Sequence, residues 1–299
     1  MTPPPPVGVP LVLALLGLLL AGPAPRVMAR QQGFRRAPRA ALVVWQSVAL
    51  SAVVSACAAA PLAAVAALGP IGARAGLAAR GAWSAVPVLL LTAPILARLL
   101  WSGHVVGTGL RRRRREHRTM VDVLGRPAGS VRVLAHPTPT AYCLPGLRRR
   151  VVLSEGAVQT LPPDQLAAVL AHEDAHLRAR HDLVLEFFTV LHRSAPAWLR
   201  SPSALREVRL LVEVLADRVA RRRTGPVAVA RALVALAGAR HPDTALGASG
   251  EAGGLRERLA LLAEDDAPAW LSAAMYAFAA GTLAAPAAVI ALGLGSMGA

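Results

Sequence analysis

The stretch "AHEDAHLRAR", residues 171–180, places two histidines four positions apart, with a glutamate directly after the first. It closes the longer run "LPPDQLAAVLAHEDAHLRAR", which begins with two prolines and Asp164 and has leucines at 166, 170 and 177. This pattern predicts a helix with one buried face. Residues four apart leave the same face of a helix, so His172 and His176 can reach a single ion.

Two histidines and a glutamate in this order are typical of zinc-dependent hydrolases. His172 and His176 are the expected metal ligands. Glu173 is not a ligand in this arrangement, but faces the open coordination position, where it can take a proton from water. Only 8 of the 299 residues are histidine, so chance is a poor explanation for the motif.

A catalytic zinc site needs a third protein ligand. An extension with glycine and a third histidine fails, because Ala179 and Asp182 occupy those positions. A later segment, "LVEVLADRVA", offers Glu213 as the third ligand, with Asp217 one turn further on to anchor a ligand histidine through its free ring nitrogen. The alternative is that both acids are solvated partners of nearby arginines (209, 218 and 221). Apolar residues surround Glu213, and an unpaired carboxylate there would be costly without a cation.

Four further residues are candidates for roles near the site. His181 and His192 could be metal ligands, but their ordinary interpretations are an exposed histidine at a helix end and a packing histidine. Asp182 is a candidate cap for the next helix. Cys143 is expected to be a small buried hydrophobe rather than a thiol that gates the metal. With only 2 cysteines, the chain offers no disulfide framework.

The charge pattern separates membrane from water. The composition is 55% hydrophobic, no acidic residue precedes Glu116, and no charged residue follows Asp266. A transmembrane helix needs about 20 apolar residues, and the uncharged runs predict four spans. They divide the chain into a membrane domain at 1–110, with spans at about 5–25, 41–69 and 82–104, a polar module at 111–266, and a fourth span within 267–299.

Arginines predict the orientation of these spans. All 33 basic residues are arginine, and they crowd the first loop and the segment after the third span, whereas the second loop has only Arg74 and Arg80. The positive-inside rule then places the module in the cytoplasm, in a multi-pass plasma-membrane protein. Cleavage of residues 1–29 as a signal peptide is the competing interpretation. The run at 111–115 favours contact with anionic lipid of the bilayer over direct nucleic-acid binding.

Within the module, short strands precede helices. Runs at 131–135, 140–144 and 150–154 are typical of strands, and helices are predicted at about 183–193, 203–223, 226–239 and 254–264, with a flexible loop at 241–254. This order predicts an α+β module inserted into an α-helical membrane protein. Thr140, Ala141 and Tyr142 are candidate substrate contacts on an edge strand, which could align an extended peptide by backbone hydrogen bonds.

Several segments resemble one family, the BlaR/MecR-type membrane metallopeptidases, which are antirepressor proteases related to HtpX and to the CAAX prenyl endopeptidases. Three spans before the module and one after it look like the BlaR arrangement. The matching segments are "AYCLPGLRRRVVLSEG" (141–156), "HEDAHLRARHD" (172–182), "PAWLRSP" (196–202) and "EVLAD" (213–217).

The resemblance implies a bacterial protein with a gluzincin-type module and one zinc ion per chain. Its implied substrate is a cytoplasmic winged-helix repressor of the BlaI/MecI kind, cleaved during signal transduction, with self-cleavage as an activating step. Two alternatives stay open: an HtpX-like protease for membrane-protein quality control, and a non-catalytic membrane receptor or scaffold that uses the zinc helix only structurally.

Overall fold

The computed structural model describes residues 8–75, 78–129, 131–146, 149–238 and 248–298. The fold combines long apolar helices, a small four-stranded sheet and a group of shorter helices. The helices are α1 (Gly8–Ala21), α2 (Pro23–Met28), α3 (Gly33–Arg36), α4 (Pro38–Ala75), α5 (Ala78–Leu124), α6 (Glu155–Thr160), α7 (Pro163–Ala179), α8 (His181–Ser194), α9 (Pro202–Thr224), α10 (Pro226–Gly238), α11 (Ala248–Ala263) and α12 (Ala269–Gly298). The strands are β1 (Arg126–Ala128), β2 (Val131–Leu134), β3 (Ala141–Leu144) and β4 (Arg150–Ser154).

Three helical segments of the described chain are long and apolar enough to cross a membrane: Val9–Met28, Pro38–Ala63 and Ala269–Leu292. They coincide with the first, second and fourth predicted spans. The predicted third span, 82–104, lies inside α5, and the structure does not describe some of its side chains. The count of four spans therefore stays a prediction.

Helix α5 is longer than a membrane span requires. Its 47 residues continue without a break through the arginine run 111–115 to Leu124. The predicted boundary between membrane domain and module, at residue 110, therefore falls in the interior of one helix. The same helix joins the predicted third span to the sheet.

The apolar helices pack around α4, which contacts α1, α5 and α12. Small residues allow this close approach, as they commonly do between membrane helices. The Ser51 hydroxyl, for example, donates a hydrogen bond of 2.8 Å to the Thr282 carbonyl on α12. Trp45 of α4 is buried and meets Phe188 of α8 edge to face, with 6.4 Å between the ring centroids. The hydrophobic core is therefore continuous from the apolar helices into the module.

The sheet has the strand order β1-β2-β4-β3, in which only β2 and β4 are parallel neighbours. The three predicted strands are confirmed, with β2 ending one residue and β3 beginning one residue inside the expected limits. Strand β1 and helix α6 were not predicted, because three and six residues are too short to show a periodic pattern. Strand β3 forms one edge of the described sheet, next to α7.

The module's helices follow their local signals. Helix α7 begins after Pro162 and ends at Ala179. The next residue, Arg180, has a left-handed conformation (φ 50°) and turns the chain directly into α8. Helix α9 is capped by Ser201, whose hydroxyl accepts a hydrogen bond from the Ala204 amide. The predicted flexible loop at 241–254 is wrong for residues 248–254, which belong to α11, and its first seven residues lie outside the described chain.

Candidate metal centre

The packing of α7 against α9 brings both sequence motifs together. The Nε2 atoms of His172 and His176 lie 3.1 Å apart, and the Glu213 carboxylate oxygens lie 3.5 Å from the first and 3.6 Å from the second. Zinc bonds to nitrogen and oxygen of about 2.0–2.1 Å with tetrahedral angles separate neighbouring ligands by about 3.3 Å. The three donor atoms therefore have both the chemistry and the spacing of a zinc site.

Two of the three side chains, His176 and Glu213, have a charge state that suits a bound cation, whereas His172 must first lose a proton. Burial lowers the pKa of His176 to about 4, which keeps its imidazole neutral. Burial opposes ionisation of Glu213, but His172 and Arg258 outweigh it and lower the pKa of the carboxyl to about 2. Burial lowers the pKa of His172, but Asp217 and Glu213 outweigh this effect and raise the pKa to about 9. Metal binding must therefore displace a proton from His172.

Asp217 holds His172 from behind. Its carboxylate is almost fully buried and lies 2.9 Å from Nδ1 of His172, the ring nitrogen that faces away from the donor triangle. Such a carboxylate fixes the orientation and tautomer of a ligand imidazole. The sequence places Asp217 in this role, and the distance fits it.

Arg258 of α11 completes the site and was not anticipated from the sequence. Its Nε and Nη2 atoms each donate a 2.7 Å hydrogen bond to Asp217, and Nη1 lies 3.0 Å from Glu213. Arg209, Arg218 and Arg221, the partners considered from sequence, are therefore not the ones that neutralise Asp217. The only sequence signal for Arg258 was a charge among the leucines of "LRERLALL".

Glu173 lies beside the donor triangle on the same helix and is half-buried. Burial raises its pKa, and the nearby charge of Glu213 raises it further, against the opposing charge of His172. The Cys143 thiol of β3 lies next to this carboxylate, and burial followed by the Glu173 charge raises the thiol pKa. Cys143 is thus half-buried at the site rather than a simple core residue, and it stays a neutral thiol.

His181 departs from its expected environment. The expectation of an exposed helix-end histidine is wrong: the residue is 4% exposed, and its Nδ1 lies 3.1 Å from Nδ1 of His176. The left-handed turn at Arg180 folds it back onto the preceding helix. His181 therefore buttresses the second ligand histidine, as Asp217 does the first.

The remaining candidates do not join the donor triangle. Asp182 does not cap α8, where Arg180 holds the cap position, but pairs with Arg114 of α5 at 3.2 Å. His192 is half-buried at the other end of α8. Within the part of the chain that the structure describes, the group able to hold a metal consists of His172, His176 and Glu213.

The predicted substrate contacts lie on the edge strand or directly before it. The Thr140 amide and carbonyl are both engaged by Ser154, and the Tyr142 hydroxyl meets Nε2 of His117 on α5 at 2.8 Å. The side chains of Ala141 and Cys143 leave the other face of the strand, toward α7. Substrate contact at Thr140, Ala141 and Tyr142 stays a prediction.

Comparison with known protein families gives one match. Residues 110–239 match the model of Peptidase family M48. Comparisons with curated proteins and with solved structures found no match. The family match supports a metallopeptidase function for the module, and it covers α7 and α9 but ends before α11 and Arg258.

Proposed function

We propose that this protein is a membrane-embedded zinc metalloendopeptidase that cleaves a cytoplasmic protein substrate. The observation that carries the proposal is the donor triangle of His172, His176 and Glu213 with Glu173 beside it. A bound zinc ion would act there as a Lewis acid toward water and the scissile carbonyl. Glu213 is 36% exposed, so the triangle has a route to solvent on that side.

Glu173 would move the proton in this reaction. Its raised pKa brings the carboxylate closer to the range in which one group can both accept a proton from water and return it to the leaving amine. Asp217 and Arg258 hold His172 in place while this happens. His181 does the same for His176.

Strand β3 offers a place for the substrate. Because Ser154 donates its amide proton to the Thr140 carbonyl, alternation along the antiparallel pair directs the amides and carbonyls of Ala141 and Cys143 to the open edge. An extended peptide added there would run beside α7, past Glu173. Backbone hydrogen bonding of this kind aligns a chain without demanding a particular sequence.

The topology supports a substrate on the side of the first loop. Arg35, in that loop, forms a bidentate pair with Glu207 of α9, with both distances 2.8 Å, which supports the proposal that loop and module share one side of the membrane. The arginine-rich loops suggest that this side is the cytoplasm. By resemblance to the BlaR/MecR type, the substrate would be a winged-helix repressor, and cleavage would relieve repression.

A second candidate is membrane-protein quality control of the HtpX kind. HtpX-type enzymes have two spans ahead of the metal-binding helix, whereas the sequence predicts three; two candidate spans precede α7 in the described residues, and the predicted third span is only partly described. A quality-control protease would cleave many misfolded membrane proteins, whereas an antirepressor would cleave one soluble target. The two proposals therefore differ in the number and location of their substrates.

The test compares native protein with Glu173→Gln in cells and after purification. Both should bind one zinc ion per chain, and only the native protein should generate new peptide termini in the cell's proteins. Loss of a proton-transfer group typically costs a factor of about 10² to 10⁴ in rate. Equal cleavage by both proteins, or none by the zinc-loaded native protein under any inducing condition, would refute a peptidase function and favour a receptor or scaffold.

A further inference from the structure

The connection between α8 and α9, residues 195–201 ("APAWLRS"), exposes a tryptophan that the proposed reaction does not use. The Trp198 side chain is 68% exposed, and Pro196 and Ala197 before it are also exposed. Trp45 of α4, by contrast, is 2% exposed in the core. A single exposed aromatic side chain is common on protein surfaces, so the position of Trp198 in the fold decides whether it has a partner.

The loop is held against the first candidate span. Nη2 of Arg26 donates a 3.0 Å hydrogen bond to the Trp198 carbonyl. A Cβ atom placed on Gly22 would lie 3.1 Å from a methyl group of Leu199, so the Leu199 side chain packs closely on this glycine. Both Gly22 and Arg26 belong to the segment Val9–Met28. The loop therefore lies at the level where this span meets the charged residues that follow it.

A second helix fixes the other side of the loop. Nε of Arg98 on α5 donates a 2.7 Å hydrogen bond to the carbonyl of Ser194, the last residue of α8. One turn further along α5, Trp101 is 69% exposed. Trp270, also 69% exposed, is the second residue of α12, at the start of the candidate span Ala269–Leu292. Three exposed indoles thus lie where apolar helices meet polar sequence.

Tryptophan is enriched at the boundary between lipid headgroups and acyl chains, because its ring is apolar and its N–H needs a polar partner. Two exposed arginines, Arg193 before the loop and Arg200 within it, are complementary in charge to anionic lipid phosphates. Arg200 also bonds the carbonyls of Ala195 (2.9 Å) and Arg193 (3.3 Å), which sets the shape of the loop in advance.

We propose that loop 195–201 of the peptidase module inserts into the membrane interface, with the Trp198 indole at the headgroup boundary and Arg193 and Arg200 on anionic phospholipid headgroups. The bilayer is favoured over a protein partner because one side of the loop contacts the candidate span Val9–Met28 and the residue before the loop, Ser194, is bonded by Arg98 in the predicted third span. This inference rests on the membrane location of the apolar helices and not on the peptidase reaction.

The position of the loop limits where cleavage can happen. Helix α9 starts directly after it, capped by Ser201, and carries Glu213 twelve residues further on. At 1.5 Å per residue, the metal ligand lies at most about 18 Å along the helix from the anchored end. A substrate must therefore present its cleavage site close to the membrane surface.

The test uses the full chain reconstituted into vesicles of phosphatidylcholine and phosphatidylglycerol, with and without brominated acyl chains that quench tryptophan on contact. The difference between native protein and Trp198→Phe isolates the emission of Trp198. The control reporter is a tryptophan introduced by Val123→Trp in the Trp198→Phe background. The native Val123 side chain is 78% exposed and lies 22 residues beyond Trp101 on α5. That is about 33 Å further along α5 at 1.5 Å per residue.

We expect brominated lipid to remove most of the Trp198 emission, aqueous iodide to have little effect on it, and the control reporter to behave in the opposite way. Omitting phosphatidylglycerol should weaken the quenching of Trp198. Quenching of Trp198 by iodide but not by brominated lipid would overturn the proposal, and so would protection from both, which would indicate a protein partner or a second copy. Running the series on Glu173→Gln excludes self-cleavage and keeps the result independent of peptidase activity.

Discussion

Replacing Arg258 with glutamine should lower the melting temperature of the metal-free protein by about 6–12 °C. The side chain of Asp217 is 2% exposed and receives two 2.7 Å hydrogen bonds from Arg258, itself 17% exposed. Removing one partner of a buried ion pair costs about 3–5 kcal/mol, because the other charge is left without compensation. Partial exposure of Arg258 favours the lower end, and each kcal/mol shifts the melting temperature by roughly 2–4 °C in a chain of this size.

The assay is thermal unfolding of the full chain in detergent, with a chelator present, followed by intrinsic fluorescence. Arg256→Gln is the matched control, since Arg256 lies on the same helix and is exposed. Exposed substitutions away from special contacts usually change the stability by less than about 0.5 kcal/mol. We therefore expect a shift of no more than about 2 °C for this control.

A double-mutant cycle with Asp217→Asn separates the pair from the rest of the site. If the two side chains stabilise each other, the double variant should be little less stable than either single variant, with a coupling free energy in the upper part of the 0.5–3 kcal/mol range seen for contacting residues. A coupling near zero, or an Arg258→Gln shift equal to that of Arg256→Gln, would refute the assigned contact.

Three further predictions concern other parts of the molecule. Arg35→Gln should destabilise the protein by roughly 2–3 kcal/mol, because its partner Glu207 on α9 is buried. Arg36→Gln, at an exposed pair with Glu264, should cost less than about 1 kcal/mol. Equal losses of stability in chemical denaturation would contradict this difference. His181→Phe should weaken zinc affinity by roughly 10- to 100-fold in competition with a chelator, and an unchanged affinity would remove its positioning role. Gly156→Ala should destabilise the protein by about 1–3 kcal/mol in thermal unfolding, since a Cβ on this residue of α6 would overlap the Pro137 carbonyl. An unchanged stability would contradict the packing.

The motifs that could be read from the sequence are those set by local helix geometry. His172 and His176 share a face because they are four residues apart on one helix, and Glu213 and Asp217 repeat that relation on α9. Proline and serine at the helix starts fix their boundaries to within a residue or two. Helix geometry alone does not predict that α7 and α9 come together. That prediction also used the argument that a carboxylate among apolar residues requires a cation.

Residues that act through long-range packing were harder to predict from the sequence. Arg258 lies 41 positions beyond Asp217 on a separate helix, and no periodic pattern relates the two. His181 was misassigned because the left-handed conformation of Arg180 reverses the chain between α7 and α8, whereas a continuous helix would have directed that histidine elsewhere. Both cases depend on one backbone geometry or one tertiary contact, which composition and spacing do not specify.

One side chain of the first loop contacts both helices that complete the site. Arg35 binds Glu207 of α9 at 2.8 Å and lies 3.3 Å from Glu257 of α11, the residue adjacent to Arg258. The loop that joins the first two candidate spans thus bears directly on the elements that carry Glu213, Asp217 and Arg258. The charge that neutralises Asp217 therefore comes from a helix beyond the peptidase-family segment, and Arg35 of the first loop contacts that helix through Glu257. Helices α2 and α4, which belong to the first two candidate spans, also contact α9 directly, so a movement of these spans would reach Glu213 and Asp217 through α9.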